Sequence, residues 1–93
     1  MSDERFDSVW DAIEDTRVEA ENMKLRSALM LALKIHIENK GWTQAEAALL
    51  LGVTQPRVSD IARGKINLFA LDALVNMAVA AGLHVEIRIA EAA

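Results

Sequence analysis

Ninety-three residues make one domain, able to bury only ~60–65% of its unfolded surface in a single modest core. Hydrophobic residues are 53% and charged residues 26%, a globular balance that excludes a disordered chain. No run of roughly 18 apolar residues is free of charge, which excludes a membrane helix, and the absence of cysteine excludes disulfides, thiolate chemistry and a zinc ribbon.

The chain opens on Met1, Ser2, Asp3 and Glu4, acidic where a secretory leader is basic and then apolar. A cytoplasmic location is therefore expected. The net charge of −4 is unevenly spread. Residues 1–21 carry eight acids and two bases, −6; residues 22–93 carry six acids and eight bases, +2. An acidic N-terminal segment on a mildly basic body suits a DNA binder with a second task. Asp11, Glu14 and Asp15 read as a solvated helix face. No HxxH, HExxH or EF-hand spacing points to a metal, and no cofactor is implied.

Five helices and one strand are predicted, as one domain over residues 1–93. The first is short, near residues 8–15, with Phe6, Val9, Trp10 and Ile13 as its apolar stripe. Thr16 and Glu19 form a capping box for a second helix reaching Lys40. Its core-facing residues are Leu25, Ala28, Leu29, Ala32, Leu33 and Ile37; Met30 and Ile35 lie off that stripe. Thr43 and Glu46 make another capping box, opening a third helix over residues 44–51. Thr54 caps a fourth, to about Arg63, with Pro56 in its tolerant first turn. Asn67 caps a fifth, with Leu68, Leu71, Leu74, Val75 and Ala78 inward and Asp72 near its positive end. Gly41, Gly52, Gly64 and Gly82 each follow an apolar-periodic segment, where a helix stops. After Gly82 the period becomes two: Leu83, Val85, Ile87 and Ile89 alternate with His84, Glu86, Arg88 and Ala90, a half-buried strand over residues 83–90. A lone strand needs a partner. Pairing with its copy in a second subunit, or adding to another protein's sheet, would supply one.

Residues 44–64 read QAEAALLLGVTQPRVSDIARG. Ala48 is small where one helix crosses another, Gly52 permits the turn, and Val53, Val58 and Ile61 anchor the second helix; Leu51 with Leu49 or Leu50 completes the packing. This run resembles the helix-turn-helix of the phage-repressor type (the Cro/cI or XRE family). The resemblance implies an all-α, five-helix phage-repressor-like domain whose second motif helix enters the major groove. It implies base readout by Gln55 and Arg57, since Gln pairs with adenine and Arg with guanine. Asp60 either accepts from cytosine or restrains Arg57 or Arg63. Gln44 falls where repressors place a helix N-terminus on phosphate. Thr43, Thr54, Ser59, Arg63 and Lys65 are the expected backbone contacts. Pro56 departs from the polar residue usual beside Gln55, removing a base contact and stiffening the helix start.

Lys24, Arg26, Lys34, Lys40 and Arg88 read as solvated surface, His36 as a core or boundary residue, Trp10 and Trp42 as packing residues, and Met23, Met30 and Met77 as core filler. Further segments, Phe6–Trp10, Asn22–Ser27, Thr43–Ala48, Gln55–Asp60 and Asn67–Val75 with the apolar tail, look like a compact subfamily similar to HigA-type antitoxins. That likeness implies a homodimer on operator DNA, repression of its own operon, and neutralisation of a RelE/HigB-like toxin, with the acidic N-terminal segment as the expected toxin contact. The competing readings are a stand-alone repressor and a non-DNA-binding interaction module. An enzyme is not expected, because no nucleophile–base pair or phosphate loop is present.

Overall fold

A computed structural model describes residues 2–92, with side chains from residue 16 to residue 92. It holds four α-helices: α1 (Ser2–Lys40), α2 (Gln44–Leu51), α3 (Gln55–Ala62) and α4 (Leu71–Ala80), with a 3-10 turn at Ile66–Leu68. The expected break before Thr16 does not occur, and α1 is continuous. No glycine or proline interrupts residues 2–40. A Thr with a Glu three residues on caps a helix only where the chain arrives extended, and propagating an existing helix is easier than nucleating a second. The stripe assigned to residues 6–13, the acidic face at residues 11–15 and Trp10 lie outside the described side chains.

The core gathers where α1, α3 and α4 meet. Phe69, Leu33, Ile61 and Leu74 are its largest fully buried side chains, each contributing about 1.5–3 kcal/mol on leaving water. Met30, Val58, Met77, Ala47, Ala48, Leu51, Ala78 and Ala81 complete it. The stripe on α1 is rotated from the expected one. Leu33 is buried and Leu29 and Ile37 are half-buried, but Met30 is buried too, while Leu25, Ala28, Ala32 and Ile35 are exposed. Met77 is core as expected, whereas Met23 is exposed. On α2, Ala47 and Ala48 turn inward with Leu51. Leu49 and Leu50 point out, at 84% and 47% exposure, and take no part in the packing assigned to them.

The last helix starts later than expected. Its N-cap is Ala70; Asn67 lies in the 3-10 turn and Leu68 is exposed. The segment before it is a 3-10 turn, with the Leu68 amide on the Lys65 carbonyl and the Phe69 amide on the Ile66 carbonyl, both at 3.1 Å, and Phe69, extended at φ −128° and ψ 126°, dives into the core. Asp72 sits in the first turn of α4, near its positive end as expected, and its Oδ1 accepts from the Ala73 amide at 3.0 Å.

Among the described residues there is no strand. The alternation survives only as burial: Leu83 and Val85 pack against the core and His84 and Glu86 face out, whereas Ile87 and Ile89 are exposed. A single chain offers this segment no edge to pair with, and an isolated strand does not hold. A groove of about 310 Å³ runs between Leu25 and Leu29 of α1, Leu71 and Val75 of α4, and Val85 and Ile87 of the tail.

Candidate nucleic-acid interface

Two helix ends set the geometry of α3. Before it, Gly52 stands at φ 71° and the Val53 amide returns to the Ala48 carbonyl at 3.0 Å. After it, Gly64 stands at φ 70°; the Lys65 amide bonds the Asp60 carbonyl and the Gly64 amide bonds that of Ile61, both at 3.0 Å. This is the paired closure in which the left-handed residue falls to glycine because a Cβ there is penalised. Between these stops α3 has eight residues, Val58 and Ile61 buried against the core and the opposite side in solvent.

On that solvent side Gln55, Ser59 and Arg63 recur every four residues, so they share one face. With Gln44, Pro56 and Asp60 they line a shallow open concavity of about 410 Å³. The N-terminus of α2 thus stands beside α3, with Gln44 as its first helical residue. Thr43 makes its own half of the predicted capping box, and Glu46 returns to the Thr43 hydroxyl. Its Oγ1 accepts from the Glu46 amide at 3.1 Å and donates to Glu46 Oε1 at 3.1 Å. Its hydroxyl is therefore occupied in shaping the helix end. Thr54 caps α3 through its backbone alone: its carbonyl accepts from the Arg57 and Val58 amides, and its exposed side chain makes no capping bond.

Asp60 meets neither arginine; Lys65 Nζ lies 3.9 Å from its Oδ1. Arg57 departs furthest from expectation. It folds over the 66–69 segment, donating from Nη1 to the Leu68 carbonyl at 2.7 Å, with its guanidinium 4.0 Å from the centre of the Phe69 ring. Arg26 is no solvated surface charge either. Its Nη1 donates to the carbonyls of Ile66 at 3.2 Å and Phe69 at 3.4 Å, and its Nε donates to Asn22 Oδ1 at 2.6 Å. The two guanidiniums, one from α1 and one from α3, hold three carbonyls of the 66–69 segment. Sequence reasoning missed this clamp. The spacing of Asn22 and Arg26 signals one pairing along a helix, but nothing local tells that their partners lie forty residues on.

Leu83, Val85, Ile87 and Ile89, expected at a subunit interface, lie on the tail far along the chain from this face, the first two half-buried and the last two exposed. His36 is the expected boundary residue: its Nε2–H donates to the Ala81 carbonyl at 2.9 Å, with the Trp42 ring edge-on at 5.4 Å. Among the described residues no cluster of three or more His, Cys, Asp or Glu is placed to hold a metal, and no helix is long and apolar enough to cross a membrane.

A helix-turn-helix domain model matches residues 12–90. A solved structure assigned by name to the XRE family of transcriptional regulators matches at TM-score 0.73 and 32% identity, covering 80% of this chain and 83% of its own. No curated protein sequence matches.

Proposed function

The chain belongs to the helix-turn-helix family, in its XRE type, and on that premise we propose that it is a sequence-specific repressor that grips operator DNA as a homodimer in the cytoplasm. Family and fold are those of a DNA-binding regulator rather than an enzyme. The observation that carries the reading is the exposed face of Gln55, Ser59 and Arg63 with the α2 N-terminus at Gln44 beside it. A polar face at this spacing on a short helix fits the major groove. Gln55 is the base reader. Gln44, Thr54, Ser59, Arg63 and Lys65 hold the sugar–phosphate backbone, Thr43 shapes the helix end that carries Gln44, and Asp60 steadies Lys65 through their ion pair. Two copies join through Leu83, Val85, Ile87 and Ile89. Each tail supplies the edge the other lacks, which sets two reading heads about one helical turn apart.

The finer role follows from charge. Residues 1–21 carry −6, complementary to an RNA-cleaving protein that must itself be basic. The protein is thus the antitoxin of a type II pair, repressing its own operon and neutralising a RelE/HigB-like toxin through that segment.

A gel-shift with the DNA upstream of its own gene, against random duplex, tests the first part. Tighter binding to the upstream DNA is expected, and equal binding to both would refute a repressor. Co-expression with the neighbouring gene tests the second. Growth arrest by that gene, relieved by this one, is expected; absence of arrest would leave a stand-alone repressor.

A further inference from the structure

We propose that Arg57, although it lies in the first turn of α3, is a positioning residue for the DNA backbone contact made by the loop after α3, and not a reader of bases. The assignment rests on the DNA-binding reading above. Three observations carry it. The guanidinium is tied to the 66–69 segment, with Nη1 on the Leu68 carbonyl at 2.7 Å and its Cζ 4.0 Å from the centre of the Phe69 ring. Phe69 is buried at 1% exposure, so the ring it rests on is fixed. Arg26, from α1, holds the Ile66 and Phe69 carbonyls of the same short segment. Residues 65–68, which carry Lys65 and Asn67, are thereby set against the C-terminal end of α3. The Lys65 amide already closes that helix on the Asp60 carbonyl, and its Nζ reaches Asp60 Oδ1.

For Arg57 to reach a base edge it would have to give up a charge-assisted hydrogen bond and an aromatic face together. Nothing on α3 replaces it under the Leu68 carbonyl. Gln55 reaches the exposed face with no such ties, so the readout falls to it, while Arg57 fixes how far Lys65 stands from the phosphates. Lysine could not substitute: an ammonium has neither the planar face for Phe69 nor the fork that leaves Nη1 free for a carbonyl.

The test is an anisotropy titration on the upstream duplex, a random duplex and a panel of single base-pair variants. It uses the full chain as wild type, Arg57→Ala, Arg57→Lys, Lys65→Ala and the double variant. Arg57→Ala is expected to weaken the upstream and random duplexes by a common factor, about tenfold near ~0.1 M salt, the worth of one phosphate contact. The salt slope should fall by about 1. The order of preference within the base-pair panel should stay that of wild type, and Arg57→Lys should not restore affinity. Adding Arg57→Ala to Lys65→Ala should cost nothing more, since a residue acting through Lys65 has nothing left to act on. Phe69→Leu, which removes the ring face and keeps an apolar core residue, should reproduce the uniform loss; it serves if Arg57→Ala loses its helical circular dichroism.

Discrimination lost at one base pair in Arg57→Ala would overturn the assignment, as would full additivity of the two single losses. Phe69→Leu with wild-type binding and salt slope would overturn it as well. A wild-type chain that binds neither duplex would overturn the DNA reading itself, and the assignment with it.

Discussion

Gln55 and Arg57 are two residues apart and look equally suited to base edges in the sequence, yet only Arg57 is tied to the 66–69 segment. Gln55 is exposed at the start of α3, so Gln55→Ala is expected to cost ~1–3 kcal/mol of operator binding and to relax preference at a single base pair. Competition among base-pair variants checks this, and a uniform loss across the panel would count against it. Thr43 acts on structure instead: its hydroxyl accepts from the Glu46 amide and donates to the Glu46 carboxylate. Thr43→Ala should lower stability by about 1 kcal/mol in chemical denaturation, with helical content retained below the transition. The cap at Thr43 was legible from residue type and position because a cap is a local event, whereas Thr54 stands at the N-cap position without a side-chain bond. The placement of Arg57 over the 66–69 segment was not legible. It depends on Leu68 and Phe69, which reach α3 only once the chain has folded back.

At the scale of elements, what the sequence reveals best are the helix stops that glycine marks. The glycine after α3 shows why. Gly64 lies at φ 70°, and a Cβ built on it would meet no atom within 4 Å. Gly64→Ala therefore tests backbone conformation alone. It should cost about 1–2 kcal/mol by denaturation, the penalty of an L-residue in the left-handed region, and a neutral outcome would show that the loop can relax. Helix phase is harder to read. The apolar positions of α1 cover more than one side, with Leu25, Ala28, Leu31, Ala32 and Ile35 exposed and Met30 and Leu33 buried. Periodicity finds an apolar stripe but cannot say which of two stripes meets the core and which waits for a partner. The start of α4 was misread for a related reason. Asn67 is a fair cap by residue type, but it lies in a 3-10 turn, and Arg26 and Arg57 take the neighbouring carbonyls.

At the scale of the molecule, an apolar groove lies between α1, α4 and the tail, and in the proposed dimer a second copy covers it. The two-residue alternation after Gly82 holds only as burial at Leu83 and Val85, and among the described residues the expected strand does not form. Shortening the chain after Leu83 tests the proposed pairing. Leu83 must stay, because its amide closes α4 on the Ala78 carbonyl at 2.9 Å. The shortened chain is expected to keep its helical circular dichroism, sediment as a monomer, and lose about 10²-fold or more in operator affinity, the gain normally drawn from two linked heads. A full-length chain that is monomeric at micromolar concentration would contradict pairing through the tail.

The most direct test is a map of backbone amide shifts as the duplex from upstream of the gene is titrated into the labelled full-length protein. Gln44, the run from Thr54 to Arg63, and Lys65 should move most, and Leu29, Val75 and their neighbours in the α1–α4 groove should stay nearly still. Shifts concentrated in that groove, with α3 silent, would contradict the account.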